Sequence, residues 1–363
     1  MKVCHISSSH QHNDTRIFLK ECTSLAKKYD ATLIAPNAPF ANIEGVQLVG
    51  LDFIPSSRFE RLLKVPPLVY KKALEIDADV YHLHDPEMLL FGLLLKRKGK
   101  KVIYDIHEDV PRQILSKKWI PNYIRSLVSK AFEVFEDYCA KRFDTLITAT
   151  SHIKKRFDTV HARVYNVNNY PLLNELHSPS NNKIAKDTFS FVGGINEIRG
   201  IQQMVEAIEV SSAGKLTLAG KFSKQSVLEN MKCLKGWSKI QYNGFMNRQE
   251  VSNLLASSYA GLVLYHPEPN HINAQPNKMF EYMSAGIPVI ASNFPLWREI
   301  IETNDCGICV DPLKPQEIAA AMDEILINPN VSEEFGRNAR KAIETKYNWN
   351  IEEQILFQAY ENL

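Results

Sequence analysis

The sequence has no long hydrophobic run, few cysteines and almost no excess charge, and each absence excludes a class of protein. No segment reaches the about 18–20 uninterrupted apolar residues that a membrane-spanning helix requires. The six cysteines are scattered over 363 residues, which is typical of reduced thiols rather than of a disulfide framework. The 43 Lys and Arg nearly balance 41 Asp and Glu, so we expect no nucleic acid as partner.

What is present describes an ordinary globular chain. Hydrophobic residues make up 45% and charged residues 23% of the sequence, which excludes a disordered or fibrous protein. Because a single hydrophobic core stops growing near about 250–300 residues, the length predicts two domains. Residues 1–6 run directly into Ser7-Ser8-Ser9 without the apolar core of a signal peptide, so we expect a cytoplasmic chain.

One cysteine pair has the spacing of a redox or zinc motif. Cys306 and Cys309 flank Gly-Ile at the entry to an apolar run, and no second pair lies nearby in the sequence. A zinc site would need further ligands close by. We therefore expect both cysteines to be small buried hydrophobic residues.

Short apolar runs alternate with amphipathic stretches, which is typical of parallel sheets covered by helices on both faces. The pattern predicts strands over residues 2–7, 31–35, 46–51, 79–83, 101–105, 145–149, 188–192, 215–219, 240–242, 260–264, 288–291 and 307–310. Helices are predicted between them, notably one after an Asp14 N-cap, one over residues 201–210, one over 277–284, and one over 316–327 with Pro315 in its first turn.

Residues 166–182 interrupt this alternation with a run of Asn, Ser and Pro that is typical of a linker. The α/β pattern therefore predicts two doubly wound domains of similar size, residues 1–170 and 171–349, followed by C-terminal helices. In such sheets, ligands bind beyond the carboxyl ends of the strands. The loops that follow the strands are therefore the candidate sites, and they carry histidines and acidic residues in the first half and glycines in the second.

Three stretches of the second half resemble the donor domain of GT-B glycosyltransferases, most closely the large retaining family 4. They are residues 190–200, with Gly193-Gly194 and Arg199; residues 241–245; and residues 273–292. The resemblance covers nearly the whole chain and implies two Rossmann-like domains facing across a cleft, the acceptor domain first and the donor domain second. It also implies that the last helix, residues 350–363, packs back on the first domain.

The third stretch makes physical sense as an anion site. Pro276 and Asn277 begin a helix, and a helix N-terminus attracts anions. Lys278 adds a full positive charge, and Glu281, three residues later, can accept hydrogen bonds from both hydroxyls of a ribose. Gly286 should end the helix as a C′ glycine. The alternative is that Lys278 and Glu281 form an exposed i,i+3 ion pair.

This sequence departs from the family pattern at two positions. Where the family has a first glutamate facing the donor sugar, Asn273 stands here, and where it has an arginine after the first glycine, Gly194 stands here. Lys221 could supply the missing charge. The resemblance implies a set of donor-binding residues: Gly193, Gly194, Lys221, Phe245, Asn273, Asn277 and Glu281.

Sugar transfer requires stabilisation of the charge that develops on the departing diphosphate. Arg199, Lys278 and helix amides are predicted to do this, and the resemblance implies retention of anomeric configuration without a metal or other cofactor, with a donor that we expect to be UDP-linked. His107 matches the active-site histidine of the family's first domain, where it implies contact with the donor sugar. A structural hydrogen bond is its alternative role.

Other polar residues of the first half suggest an acceptor pocket. His12, Arg16, His84 and Asp85 are predicted to bind the acceptor, with Asp14 left as a possible helix cap and Arg16 alternatively facing solvent. His10, His12, Asp14, His84 and Asp85 also invite a zinc site. Because His-x-His pairs are common in loops, we favour a polar pocket for sugar hydroxyls.

The near-zero net charge conceals an asymmetry. Residues 1–175 hold 26 Lys and Arg against 20 Asp and Glu, whereas residues 176–363 hold 17 against 21. Residues 117–130 are basic, aromatic and amphipathic, which suits peripheral contact with an anionic membrane at the inner face of the cell membrane. A solvated face with a buried apolar side would have the same pattern.

The sequence thus predicts a retaining glycosyltransferase that moves a sugar from a nucleotide sugar to a glycan or lipid-linked saccharide in surface polysaccharide synthesis. Two alternatives stay open. A non-hydrolysing sugar-nucleotide epimerase would share the architecture and donor site. A non-catalytic nucleotide-sugar-binding subunit would fit the replacements at Gly194 and Asn273.

Overall fold

The computed structural model describes residues 1–53, 55–117, 120–176 and 186–363. Within these ranges the chain forms two compact units. The N-terminal unit comprises Met1–Asn169 together with Trp349–Leu363, and the C-terminal unit comprises Tyr170–Asn348. No helix of the described residues is long and apolar enough to cross a membrane.

Fourteen strands in the described residues form two sheets, eight strands in the N-terminal unit and six in the C-terminal unit. They are β1 (Lys2–Ile6), β2 (Asp30–Ile34), β3 (Ala41–Ile43), β4 (Val46–Val49), β5 (Val80–Leu83), β6 (Lys101–Ile106), β7 (Thr145–Thr148), β8 (Val164–Asn166), β9 (Thr188–Val192), β10 (Leu216–Ala219), β11 (Ile240–Gly244), β12 (Ser258–Val263), β13 (Val289–Ser292) and β14 (Gly307–Val310).

The helices between and after these strands cover the sheets. They are α1 (Thr23–Ala26), which continues a π-helical segment at Ile17–Cys22, α2 (Arg58–Ile76), α3 (Leu89–Arg97), α4 (Val110–Leu115), α5 (Asn122–Ala140), α6 (Ser151–Phe157), α7 (Ile201–Val210), α8 (Gln225–Lys232), α9 (Arg248–Ala256), α10 (Asn277–Ala285), α11 (Pro295–Thr303), α12 (Pro315–Ile327), α13 (Pro329–Thr345) and α14 (Trp349–Glu361).

Six adjacent strands of the N-terminal sheet, from β4 to β7, have the same order as the six strands of the C-terminal sheet. The N-terminal sheet runs β3-β4-β2-β1-β5-β6-β7-β8 and is parallel except for the β3–β4 hairpin, and the C-terminal sheet runs β11-β10-β9-β12-β13-β14 and is parallel throughout. In each unit the chain first adds strands on one side and then switches to the other. The reversal falls between β1 and β5 in one sheet and between β9 and β12 in the other, and ligands of doubly wound sheets bind there.

Burial on both faces explains why the strands read as apolar runs. Separate hydrophobic clusters pack on the two faces of each sheet; those of the C-terminal unit are built around Trp297 and Tyr282 on one face and Phe189 and Phe191 on the other. The predicted strands 188–192 and 307–310 agree with the structure to the residue, and the others shift at their ends. Cys306 packs within the core and Cys309 lies partly buried against it, and all six cysteines are unpaired.

Two strands and part of the linker differ from expectation. The hairpin strand β3 and the strand β8 were not predicted, because each has only three residues, too few to show a hydrophobic period. The predicted linker, residues 166–182, starts inside β8, and its residues 177–182 lie outside the described part of the chain. Asn168 in that stretch is buried and donates from its backbone and side chain to Glu352 of α14, at 2.7 and 3.0 Å.

Predicted helix ends are confirmed at three places. The carboxylate of Asp14 accepts hydrogen bonds from the backbone amides of Arg16 and Ile17, both at 2.9 Å, just before the π-helical segment. Gly286 follows α10 in the left-handed conformation, with φ of 73°, as a C′ glycine does. Pro315 is the first residue of α12.

Candidate functional site

The loop after β9 approaches a neighbouring loop so closely that only glycine fits. Gly193 has φ of 111° and donates its amide to the Ala219 carbonyl at 2.7 Å. Gly220, with φ of 146°, lies so near that a Cβ on it would overlap the Gly193 carbonyl. Neither glycine has a side chain that would cover the polypeptide backbone here, at the edge of the C-terminal sheet where its strand order reverses.

Lys278, in the first turn of α10, is a buried cation without an anion. Its side chain is only 7% exposed, and its Nζ has no hydrogen-bond partner in the described part of the chain. Nζ lies 3.7 Å from the ring centroid of Phe191 and 5.3 Å from that of Tyr265. Burial, reinforced by the charge of Arg199 and opposed by Glu281, holds the pKa of Lys278 well below its usual range.

Arg199 approaches the same aromatic ring. Its guanidinium carbon lies 5.4 Å from the centroid of Tyr265, and its Nη1 donates to the Gly194 carbonyl at 2.9 Å. A Cβ at position 194 would come within 3.1 Å of that Nη1. That contact is tight, but the guanidinium is the movable end of its side chain, so the contact does not by itself require glycine at position 194. The two cations converge on Tyr265 at the carboxyl ends of β9 and β12.

Glu281 pairs with a residue that the sequence did not suggest. One of its oxygens accepts from Arg248 Nη1 at 2.7 Å, and Nε of the same arginine pairs with Glu175 at 2.6 Å. The alternative of an exposed ion pair between Lys278 and Glu281 is therefore wrong. The half-buried carboxylate of Glu281 is anchored by Arg248 beside the N-terminal turn of α10.

The remaining donor-site candidates are exposed. Phe245, at the end of β11, exposes 74% of its surface, and Lys221 Nζ lies 5.9 Å from its ring centroid. Asn277 is the exposed first residue of α10, and Asn273 is exposed in the loop before it. These positions leave the four side chains open to a ligand, and no contact of theirs assigns them a structural role.

The corresponding edge of the N-terminal sheet is built around a buried ion network. Asp105, at the end of β6, accepts from Arg16 Nε at 3.0 Å and from Nη2 at 2.8 Å, and Arg16 Nη1 donates to the Val167 carbonyl at 2.7 Å. Arg16 also lies 3.0 Å from Glu21. Burial raises the pKa of Asp105, but Arg16 and His107 outweigh it and hold that pKa well below its usual range.

This network corrects the prediction for Arg16. The side chain is 3% exposed and its donors are engaged inside the unit, so it neither faces solvent nor presents a free guanidinium to an acceptor phosphate. Its neighbour Glu21 is also fully buried, and burial together with Asp105 raises the pKa of that carboxyl despite Arg16.

His107 shares Asp105 with a second histidine. His107 Nε2 lies 2.7 Å from the Asp105 carboxylate and its side chain is 17% exposed, whereas His84 Nδ1 lies 3.4 Å from the same oxygen and is fully buried. Burial lowers the pKa of His84 to about 4, against the opposing effect of Asp105. His107 is therefore the histidine of this pair that can reach a ligand, and the predicted acceptor contact of His84 is wrong because the ring is enclosed.

Asp85 organises the loop after β1 instead of facing an acceptor. Its carboxylate accepts from the amides of Ser8 and Ser9, at 2.6 and 3.2 Å, and pairs with His10 at 3.0 Å. Burial raises its pKa, but the hydrogen bonds and charge of His10 and the serine hydroxyls hold it well below the usual range. The acceptor role predicted for this buried carboxylate is therefore corrected to a structural one. His12 is half-buried, and its Nδ1 has no hydrogen-bond partner in the described residues.

Metal-ligating side chains cluster in two groups in the described residues, and neither is the predicted zinc alternative. One group is His5, Glu21, His82 and His84, and the other is His84, Asp105 and His107. Sequence reasoning missed His5 and His82, although a signal existed. His82 lies in β5 and His84 directly follows that strand, two residues on, so an extended chain places both on one face, and His5 lies beside His82 in register.

Comparisons with known proteins find glycosyltransferases for both halves of the chain. Residues 173–342 match the family described as "Glycosyl transferases group 1", and residues 16–167 match "Glycosyltransferase Family 4". An uncharacterized glycosyltransferase of Methanocaldococcus jannaschii is 31% identical over 164 residues, which are 44% of this chain and 40% of that protein. The chain spans 40–41% of the length of the first curated relatives it matches.

Solved structures share the fold over the whole chain. Sucrose-phosphate synthase of Thermosynechococcus elongatus superposes with a TM-score of 0.79 at 15% identity, covering 99% of this chain and 98% of that one. HepE of Anabaena in complex with UDP-glucose gives a TM-score of 0.76 at 16% identity, with full coverage of both. The chain belongs to the GT-B glycosyltransferases, with the group 1 and family 4 signatures in its two halves.

Proposed function

We propose that the protein transfers a sugar from a nucleotide sugar to a glycan or lipid-linked saccharide, with retention of anomeric configuration. The buried amino group of Lys278, which has no hydrogen-bond partner in the described residues, is the observation that carries this proposal. Charging this group without a counter-ion costs several kcal/mol, of the order of 3–5. A ligand with a strong negative charge, such as a diphosphate, would remove that cost.

The surroundings of Lys278 suit a nucleoside diphosphate. Arg199 and the amides of the first turn of α10 add positive potential, and the bare backbone at Gly193 lets a phosphate come close. Glu281, anchored by Arg248, would accept from ribose hydroxyls, and exposed Phe245 offers a ring for the base. HepE, with the same fold, was crystallised with UDP-glucose, which supports a UDP-linked donor.

The proposed chemistry places charge stabilisation on the C-terminal unit and a sugar contact on the N-terminal unit. Lys278, Arg199 and the helix amides would hold the departing diphosphate, so this step needs no divalent metal at the phosphates. His107, backed by Asp105, would contact the donor sugar or the transition state. Retention would follow from front-face departure and attack, with the leaving phosphate accepting the proton of the acceptor hydroxyl.

One helix of the N-terminal unit supports contact with an anionic membrane. Tyr123, Leu127 and Val134 of α5 are 86%, 71% and 58% exposed, and with Tyr138 they form an apolar stripe at helical spacing. Lys130 lies exposed on the same helix, and the guanidinium of Arg142 stacks 3.5 Å above the Tyr138 ring. Lys118 and Trp119, also in the predicted basic stretch, lie outside the described residues.

That contact has a direct test. The double variant Tyr123→Ser/Leu127→Ser should bind vesicles with 30% phosphatidylserine several-fold less than wild type in flotation, because each side chain loses its apolar burial in the interface. Equal binding by the variant, or no binding by wild type, would reject it. A membrane-bound acceptor would place the protein at the inner face of the cell membrane and in surface polysaccharide synthesis.

A nucleotide screen followed by product analysis tests the transferase proposal. We expect one nucleotide sugar, and its nucleoside diphosphate, to raise the melting temperature by mass action. The stabilising donor is then incubated with a saccharide extract, and the products are analysed by NMR for anomeric configuration. Conversion of the donor sugar without an acceptor would instead identify an epimerase, and binding without turnover would identify a non-catalytic subunit.

A further inference from the structure

The N-terminal unit contains a second polar centre that the proposed function does not use. Four side chains form this centre: His5 of β1, His82 of β5, His84 directly after β5, and Glu21 of the π-helical segment. Each has one nitrogen or oxygen atom within 4.8 Å of those of the other three. All four side chains are buried, with His5, Glu21 and His82 showing no exposed surface. Three imidazoles and one carboxylate form the kind of ligand set that holds Zn²⁺ in proteins.

Several polar atoms of this cluster lack the partners that burial normally demands. Neither carboxylate oxygen of Glu21 has a hydrogen-bond donor among the described residues, although Arg16 lies beside one of them. Nε2 of His82 also has no partner there. Buried polar atoms are almost always satisfied, so these orphaned atoms point to a group between them.

The outer contacts of the histidines are those of metal ligands. His82 turns Nδ1 towards the Tyr360 hydroxyl at 2.7 Å, which leaves Nε2 as its inner atom. His84 turns Nδ1 towards the Asp105 carboxylate at 3.4 Å, and its inner Nε2 lies 2.8 Å from Nδ1 of His5. The other nitrogen of His5, Nε2, faces the Tyr360 hydroxyl at 3.3 Å. A ligating histidine commonly fixes its other nitrogen on a carboxylate or hydroxyl in this way.

The charged side chains nearby leave an excess of negative charge when both carboxylates are ionised, which attracts a cation. Arg16 supplies one positive charge, and Asp105 and Glu21 supply two negative charges when ionised. The second cluster, His84 with Asp105 and His107, is a weaker candidate, because Arg16 already holds both oxygens of Asp105.

We propose that His5, Glu21, His82 and His84 bind a divalent transition-metal ion, with Zn²⁺ as the best fit. Because the four ligands are buried, no coordination position is open to substrate, and the ion would stabilise the carboxyl edge of β1 and β5. Tetrahedral Zn²⁺ with bonds of about 2.0–2.2 Å would hold its donor atoms about 3.3–3.6 Å apart. The most separated donor atoms would therefore close in, and the His5 Nδ1–His84 Nε2 pair, now at 2.8 Å, would open. All four proposed ligands belong to the N-terminal unit, whereas Lys278 and Arg199 belong to the C-terminal unit.

Metal content and cobalt spectroscopy test the site on the full chain. Protein expressed with zinc supplementation and washed in metal-free buffer should retain about one zinc per chain by plasma mass spectrometry. After chelation, Co²⁺ should restore one equivalent with the intense visible absorption of a tetrahedral ion. The variant His82→Gln should bind either metal at least about 10–100-fold more weakly.

Controls separate this site from adventitious binding and from misfolding. His152→Gln, which changes an exposed histidine of the same unit, should retain the metal. If His82→Gln does not fold, Glu21→Gln, which preserves volume, replaces it with the same expectation. A folded wild-type protein that holds less than about 0.1 equivalent of zinc and gives no cobalt spectrum, or variants that bind as wild type does, would overturn the proposal.

Discussion

Each unit has a buried cationic side chain near the carboxyl ends of its central strands, but the two differ in whether an anion of the protein pairs with them. At the carboxyl ends of β1, β5 and β6, Arg16 is surrounded by Asp105 and Glu21 and is satisfied within the protein. At the carboxyl ends of β9 and β12, Lys278 is also buried, but it lies against aromatic rings and has no ion pair in the described residues, and the charge of Arg199 outweighs that of Glu281. A buried charge that is paired inside the protein stabilises the fold, whereas a buried charge without a partner is available to bind a ligand.

This contrast predicts opposite effects on the stability of the protein when each cation is removed. Removing one member of a buried ion network leaves its partners uncompensated, which destabilises the fold. Removing a buried cation that has no partner relieves a desolvation cost. The experiments below are arranged by the size of the expected effect.

The largest effect is expected from Arg16→Met. The variant leaves Asp105 and Glu21 buried without their cation, and we expect the free energy of unfolding of the N-terminal unit to fall by about 3–5 kcal/mol. Urea denaturation followed by circular dichroism measures this loss. Arg97→Met, at an exposed position, is the control and should change stability by less than about 0.5 kcal/mol. Equal stability of the two variants would contradict a structural role for Arg16.

Lys278→Met should show the reverse pattern. We expect affinity for the nucleoside diphosphate to fall about 10- to 100-fold, because hydrogen bonds to a charged group contribute about 1.5–3 kcal/mol. The unliganded protein should be as stable as wild type or more stable. Isothermal titration calorimetry measures the affinity and thermal denaturation the stability, with exposed Lys224→Met as control. A destabilised variant with intact affinity would show that Lys278 is structural.

Glu281→Ala tests the ribose contact against a matched carboxylate. Both Glu281 and Glu175 pair with Arg248, but only Glu281 lies on the signature helix α10. We expect Glu281→Ala to weaken donor binding about tenfold or more and Glu175→Ala to change it less than about threefold. Calorimetry with the best nucleotide of the screen measures both. Similar losses in the two variants would mean that the position of Arg248, rather than the carboxylate, matters to the donor.

The smallest effect is a pH dependence of donor binding. The pKa of Lys278 is lowered in the free protein, and a bound diphosphate would raise it, so binding takes up protons between the two pKa values. Affinity should therefore weaken as pH rises through that window, by at most about tenfold per pH unit. Calorimetry in buffers of different ionisation enthalpy counts the protons. Lys278→Arg should abolish the uptake, since arginine stays charged, and an unchanged uptake would point to another group.

Sequence reasoning recovered most of the fold because strands buried on both faces leave apolar runs that need no tertiary information to be recognised. It recovered the signature helix α10 with its proline start and its glycine end for the same local reason. It failed at β3 and β8, where three residues carry no period, and for Arg16, His84 and Asp85, whose polar character suggested a ligand. Their partners lie tens of residues away in the chain, so only folding could reveal that they are already paired.

The pattern of apolar runs, glycines and helix ends by itself determined two doubly wound halves and the order of loops along their binding edges. Which of the charged residues on those edges remain available was decided by tertiary structure. Compensation of a buried charge depends on distances between residues far apart in sequence, as between Arg16 and Asp105 at 2.8 Å. The near-zero net charge therefore says little, because what matters at each edge is whether a buried cation finds its anion inside the protein.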